Sequence, residues 1–162
     1  MKFILFILIA FMAILLLLLI IGLLLPKDRI AKRVVTFSSD IKTVWDVVTN
    51  NEDYDWRSDI SKIEILDNGD SWIEYALNGS HINFDILKKN DCKEYNFNMN
   101  NKMFTGKFTS RFEKSATENA KVEFVESISI KNPILKPISY LFFDIQGFQD
   151  TYISDLKKKL NE

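Results

Sequence analysis

The sequence predicts an α+β protein: a curved seven-strand antiparallel sheet, two short helices and a long C-terminal helix, preceded by one transmembrane helix. Three observations predict it. An unbroken apolar run opens the chain. Alternation of period two, with turn signals at regular intervals, fills residues 61–131. A stripe of period 3.6 closes it.

The opening run, Phe3 to Leu25, reads FILFILIAFMAILLLLLIIGLLL, carries no charge and stops at Pro26. At 1.5 Å per residue such a helix is about 34 Å long, enough to cross a hydrocarbon core of ~30 Å. A cleaved signal peptide has a shorter apolar region, about 7–15 residues, and a small-x-small cleavage site. Here Gly22 is followed by three leucines and a proline. A buried helix of a soluble protein would show a polar face. The expected organisation is therefore an anchor over 1–26, a basic juxtamembrane segment over 27–33 and a folded domain over 34–162. Lys27, Arg29, Lys32 and Arg33 outnumber Lys2 and the terminal amine, which leans the single-pass topology toward a cytoplasmic domain. The same basic cluster suits anionic head groups as well as it suits a topology signal.

Without Lys2, 20 basic residues stand against 22 acidic ones, so no basic field announces a nucleic-acid partner. Cys92 is the single cysteine, which rules out an internal disulfide. Asn78-Gly79-Ser80 fits a glycosylation acceptor, a pattern short enough to arise by chance.

Along the domain, RIAKRVVTF (Arg29 to Phe37) reads as a first strand. Ser38 or Ser39 then caps a helix in which Ile41, Val44, Trp45 and Val48 form one stripe. The acidic stretch NEDYDWRSDI carries Tyr54 and Trp56, rings too large for a purely solvated loop, and is expected to form a second short helix and turn. Six strands follow: SKIEIL, SWIEYAL, HINFDIL, KEYNFNMN, MFTGKFTSRFEK and AKVEFVESISIK. Their turns include DNGD, where Gly69 supplies a positive φ, and NGS. Each strand shows one apolar face: Ile73, Tyr75 and Leu77; Ile82, Phe84 and Ile86; Tyr95, Phe97 and Met99; Phe104, Gly106, Phe108 and Phe112; Val122, Phe124, Ile128 and Ile130. After Pro133, a long helical stripe runs through Ile138, Leu141, Phe142, Ile145, Phe148, Tyr152, Ile153, Leu156 and Leu160, and covers that face.

This order resembles the START-like helix-grip superfamily, also called SRPBCC or the polyketide cyclase and lipid-transport superfamily. The resemblance is carried by VTFSSDIKTVWDVVTNNEDYDWRSDISKIEIL and by the closing YISDLKKKLNE, with the Tyr54-Asp55-Trp56 spacing one residue shorter than the usual pattern. It implies a sheet gripping the long helix around a cavity for a hydrophobic small molecule or lipid. The inward positions that would line this cavity are Trp56, Ile73, Tyr75, Phe84, Phe97, Phe108, Phe124, Phe142 and Ile145. The apolar faces themselves are equally consistent with a filled core.

Catalytic signals are weak. His81, the single histidine, falls on the polar face of its strand, which excludes a multi-histidine metal site and disfavours a Ser/His/Asp or Cys/His arrangement. The five glycines make no phosphate cradle. Gly106 and Gly147 leave room either for a neighbouring backbone or for a ligand. Glu52, Asp53, Asp55 and Asp59 are expected to be solvated. The sequence therefore favours a membrane-anchored carrier or binder without a cofactor or metal. An enzyme of cyclase or hydratase type using Asp55, Asp59 or Tyr75, and a non-catalytic interaction module, are the alternatives.

Overall fold

The computed structural model describes residues 2–115 and 119–162. Met1, the first residue of the expected anchor, lies outside the described residues. The chain runs α1 (Lys2–Leu24), β1 (Asp28–Asp40), α2 (Ile41–Thr49), β2 (Ile60–Leu66), β3 (Ser71–Ala76), β4 (His81–Asn90), β5 (Glu94–Asn100), β6 (Phe104–Lys114), β7 (Asn119–Ile130), α3 (Leu135–Phe142) and α4 (Ile145–Lys159). The strands form one antiparallel sheet in the order β1-β7-β6-β5-β4-β3-β2. Strand β1 returns to pair with the last strand, and the other six form a meander. Breaks of register at Thr36/Asp40, Ile60/Lys62 and Ile86/Lys88 bend the sheet.

This is the α+β architecture that the alternation and the C-terminal stripe predict, in the helix-grip form that the resemblance implies. Helix α1 is long and apolar enough to cross a membrane, and nearly all its large side chains are exposed. Asp67, Asn68 and Gly69 all take positive φ in the turn between β2 and β3, as does Gly79 before β4. His81 is exposed on the outer face.

The basic segment 27–33 leads directly into the sheet, since β1 begins at Asp28 and pairs with β7 as far as Ser129. Its cations are partly used inside the domain: Arg29 donates to the Ser139 carbonyl (2.8 Å) and Arg33 chelates Asp150 (2.6 and 2.9 Å). The N-cap of α2 is Asp40, not a serine; its carboxylate accepts from the Lys42 and Thr43 N–H groups. Residues 51–59 form successive turns rather than a helix, so the second short helix is α3. Finally, the C-terminal stripe is broken at Phe143, and Asp144 starts α4 by accepting from Gln146 and Gly147. Gly147 lies against that cap: a Cβ there would stand 2.6 Å from the second carboxylate oxygen of Asp144, which would have to shift. Gly106 similarly admits the Ser127 carbonyl of β7, 2.9 Å from where a Cβ would stand. Close packing therefore uses the space at both glycines.

Candidate functional site

The concave face of the sheet is lined by rings. Trp72 of β3 stacks on Phe84 of β4 (centroids 5.0 Å apart), and Phe97 of β5 stacks on Phe108 of β6 (4.8 Å). Phe124 of β7 follows at 5.9 Å from Phe108. Helix α4 lies over this row, its Tyr152 edge-on to Phe124 (5.9 Å) and Phe108 (6.3 Å). Trp56, from the acidic turns, meets the other side of Tyr152 at 5.4 Å and donates its indole N–H to the Asp53 carbonyl. The ring therefore packs on α4 rather than on the end of the sheet.

Polar groups interrupt the rings at one place. Glu74 of β3 is buried and accepts from the Trp72 indole at 3.1 Å. Arg57 crosses from the turns to reach Glu74 (3.4 Å, two contacts) and Asp59 (3.0 and 3.1 Å), with its guanidinium 5.0 Å from the Tyr152 ring centre. Burial opposes the charge of Arg57, but Glu74 and Asp59 outweigh it and hold its pKa above the ordinary value. Glu126 of β7 lies on the same face as Phe124 and is the cross-strand partner of both Phe108 and Ala31. Burial pushes its carboxyl up to about 7, against the attraction of Arg57 and with a smaller repulsion from Glu74. Among the described residues, Glu126 has no hydrogen-bond or ion-pair partner. Burial also raises the Tyr152 phenol.

Gln149 stands one helical turn before Tyr152. It is 2 % exposed, and neither polar atom of its side chain has a partner. Arg33 pairs with Asp150 and sits opposite Phe124, while Ala31 sits opposite Glu126. These pairings set Gln149 and Glu126 at neighbouring levels of the interior. Phe97, Glu126 and Tyr152 face inward and are half-buried rather than fully enclosed.

The turns are fixed onto α4 by Asp155, whose buried carboxylate accepts from the Ser58 N–H (2.9 Å), the Ser58 hydroxyl and Lys158 (3.0 Å). Burial works against its charge, and these donors nevertheless hold its carboxyl below the usual range.

Of the residues expected to line a cavity, Phe84, Phe97, Phe108 and Phe124 form the ring row, Trp56 closes its side, and Ile145 is buried at the start of α4. Three are corrected. Ile73 and Tyr75 point to the outer face: the register sets Trp72 against Phe84, so Trp72 and Glu74 point inward. Tyr75 instead contacts Glu64 (3.4 Å) and the His81 ring. Phe142 is 82 % exposed, because the break at Phe143 turns α3 away from the sheet; Phe143 packs on Phe104 in its stead. Asp55 is exposed and Asp59 is held by Arg57. The sequence did carry a signal for the residues missed. Glu126 interrupts the apolar alternation of β7, and Gln149 interrupts the stripe of α4.

Among the described residues no group of three His, Cys, Asp or Glu side chains is placed to hold a metal ion. No protein-family model matches the sequence, and no curated protein matches it. Solved structures do match the fold. Norcoclaurine synthase from Thalictrum flavum superposes with a TM-score of 0.66 at 10% identity, over 83% of this chain and 87% of that one. An uncharacterised protein from Bacillus thuringiensis gives 0.63 at 12%, over 83% and 100%. The di-domain aromatase/cyclase StfQ of steffimycin biosynthesis gives 0.66 at 8%, over 81% of this chain and 50% of that one. At these identities the similarity is one of fold.

Proposed function

We propose that this protein is a membrane-anchored binder of a hydrophobic small molecule or lipid, held between the concave sheet face and α4. The observation that carries this reading is an aromatic interior in which, among the described residues, the buried Gln149 side chain has no partner and the half-buried Glu126 beside the ring row has none either. Buried polar groups are almost always paired. An apolar molecule with one hydrogen-bonding group would pair them while its body lies on Phe97 and Phe108. Helix α1 would supply the anchor, being long and apolar enough to cross a membrane, with an apolar run longer than the about 7–15 residues of a signal peptide. The fold similarity supports the reading too: one norcoclaurine synthase structure holds dopamine and hydroxybenzaldehyde, both small aromatic molecules.

Burial of ~300 Å² of apolar ligand surface at ~25 cal/mol per Å² yields about 7 kcal/mol before the costs of association. That corresponds to weak or micromolar affinity, which suits a carrier that releases its cargo at a membrane. The test is organic extraction of the full chain purified from its host, followed by mass spectrometry, together with titration by a fluorescent fatty acid. Saturable micromolar binding that Gln149→Leu weakens about tenfold supports the reading. Absence of both co-purified and saturable ligand overturns it.

A second reading, a cyclase- or hydratase-like enzyme, is favoured by one observation. A carboxyl titrating at about 7 beside an aromatic wall is matched to proton transfer near neutral pH. Under this reading Glu126, in place of Asp55, Asp59 or Tyr75, exchanges the proton. Glu126→Gln would then abolish turnover of a bound polyketide-like substrate while leaving its affinity within about threefold.

A further inference from the structure

We propose that α3 and the first turn of α4 lie in the interfacial layer of the membrane that α1 crosses, with Leu141, Phe142 and Phe148 against the acyl chains of a phospholipid bilayer. This rests on the reading of α1 as a membrane span.

The packing of α3 against α1 sets the depth. Gly22 is the one buried residue of α1, and a Cβ there would collide with the Pro133 carbonyl oxygen. One turn later, the Lys136 ammonium donates to the Leu25 carbonyl at 3.0 Å, satisfying a helix-end acceptor. The chain entering α3 therefore stands level with the last apolar turn of α1. In a bilayer this level is the boundary between hydrocarbon and head groups.

The exposed apolar surface gathers at the same end. Leu141 is 78 % exposed, Phe142 82 %, and Phe148 53 %. Phe148 is joined to the core through Phe143, at 5.2 Å, and Phe143 packs on Phe104 at the start of β6. Met103 is exposed beside them, its carbonyl accepting from the Lys131 N–H at 3.0 Å. Scattered exposed apolar residues are ordinary, but a cluster marks a contact surface. Its rim is suited to head groups: Lys27 and Lys102 are exposed, and Tyr140 lies beside Arg29. Only a bilayer is already held next to this surface by the chain itself.

The test uses the full chain in nanodiscs of phosphatidylcholine and phosphatidylglycerol, in a Cys92→Ser background. Single substitutions Phe142→Cys, Phe148→Cys, Leu87→Cys and Ile14→Cys carry an environment-sensitive fluorophore, and quenching by brominated lipid is read. Leu87 is exposed on β4 and serves as the aqueous reference; Ile14 lies in the middle of α1. The expected result is quenching at positions 142 and 148 at least threefold above that at 87. Quenching there equal to position 87, with position 14 strongly quenched, overturns the docking and leaves the span intact. An unquenched position 14 overturns both.

Discussion

Gln149 and Glu126 sit at neighbouring levels of the interior with opposite consequences for stability and for binding. An unpartnered buried amide costs about 1–3 kcal/mol. Gln149→Leu should therefore raise the free protein's stability by about that amount in urea unfolding, while weakening retention of any ligand. For Glu126 the sign follows from a folded pKa of about 7 against an ordinary 4.5. Below about pH 4.5 the group is protonated in both states and imposes no penalty. As pH rises from there to about 7 the unfolded chain releases the proton first, so stability falls, by up to about 3 kcal/mol. Thermal melts of the wild type should show this loss between about pH 4.5 and 7, and Glu126→Gln should flatten it.

Among the elements, the acidic turns and α4 depend on each other. Asp155 holds Ser58, and Arg57 links the same turns to β3 through Glu74. Asp155→Ala leaves the Ser58 N–H without its acceptor and should cost about 2–4 kcal/mol, read as a shift in the urea midpoint. Because the folded Asp155 pKa is lowered, its contribution is present above the ordinary carboxylate range and is lost as pH falls through the folded value. Trp56 meets Tyr152 edge-on, so it belongs to the wall between turns and helix. Trp56→Ala should cost roughly 1–3 kcal/mol, less than full deletion of a core ring, and should quicken ligand exchange in stopped-flow measurements with the fluorescent probe. These elements were unequally legible in the sequence. Strands β4 to β7 alternate cleanly because one face is wet, and their inward residues follow from parity. In β3 the two faces compete, with Ile73, Tyr75 and Leu77 against Trp72, and the winning face carries a glutamate. It wins because Arg57, remote in sequence, neutralises that glutamate, and Trp72 finds Phe84 to stack upon. Periodicity also extended the C-terminal helix through Asp144, since a cap and a helix-interior aspartate look alike until the backbone turns.

At the scale of the whole molecule, the N-terminal helix and the fold make a joint prediction. If α1 is an uncleaved anchor, intact mass of the protein from its host retains residues 2–25, and the chain stays in the pellet after alkaline carbonate extraction. A mature chain beginning near residue 26 in the soluble fraction would show a signal sequence instead. The sequence by itself determined the apolar N-terminal helix, the strand count, the sheet with one apolar face and the helix that covers it. Each of these follows from the periodicity of local side-chain burial, which a single chain records directly. Only the tertiary structure decided which polar residues meet inside, that Trp56 faces α4, and that Phe142 faces outward at the end of the domain next to α1. Those outcomes depend on pairs such as Arg57 with Glu74 and Lys136 with Leu25, whose partners lie far apart in the chain and whose energies appear only once the sheet brings them together.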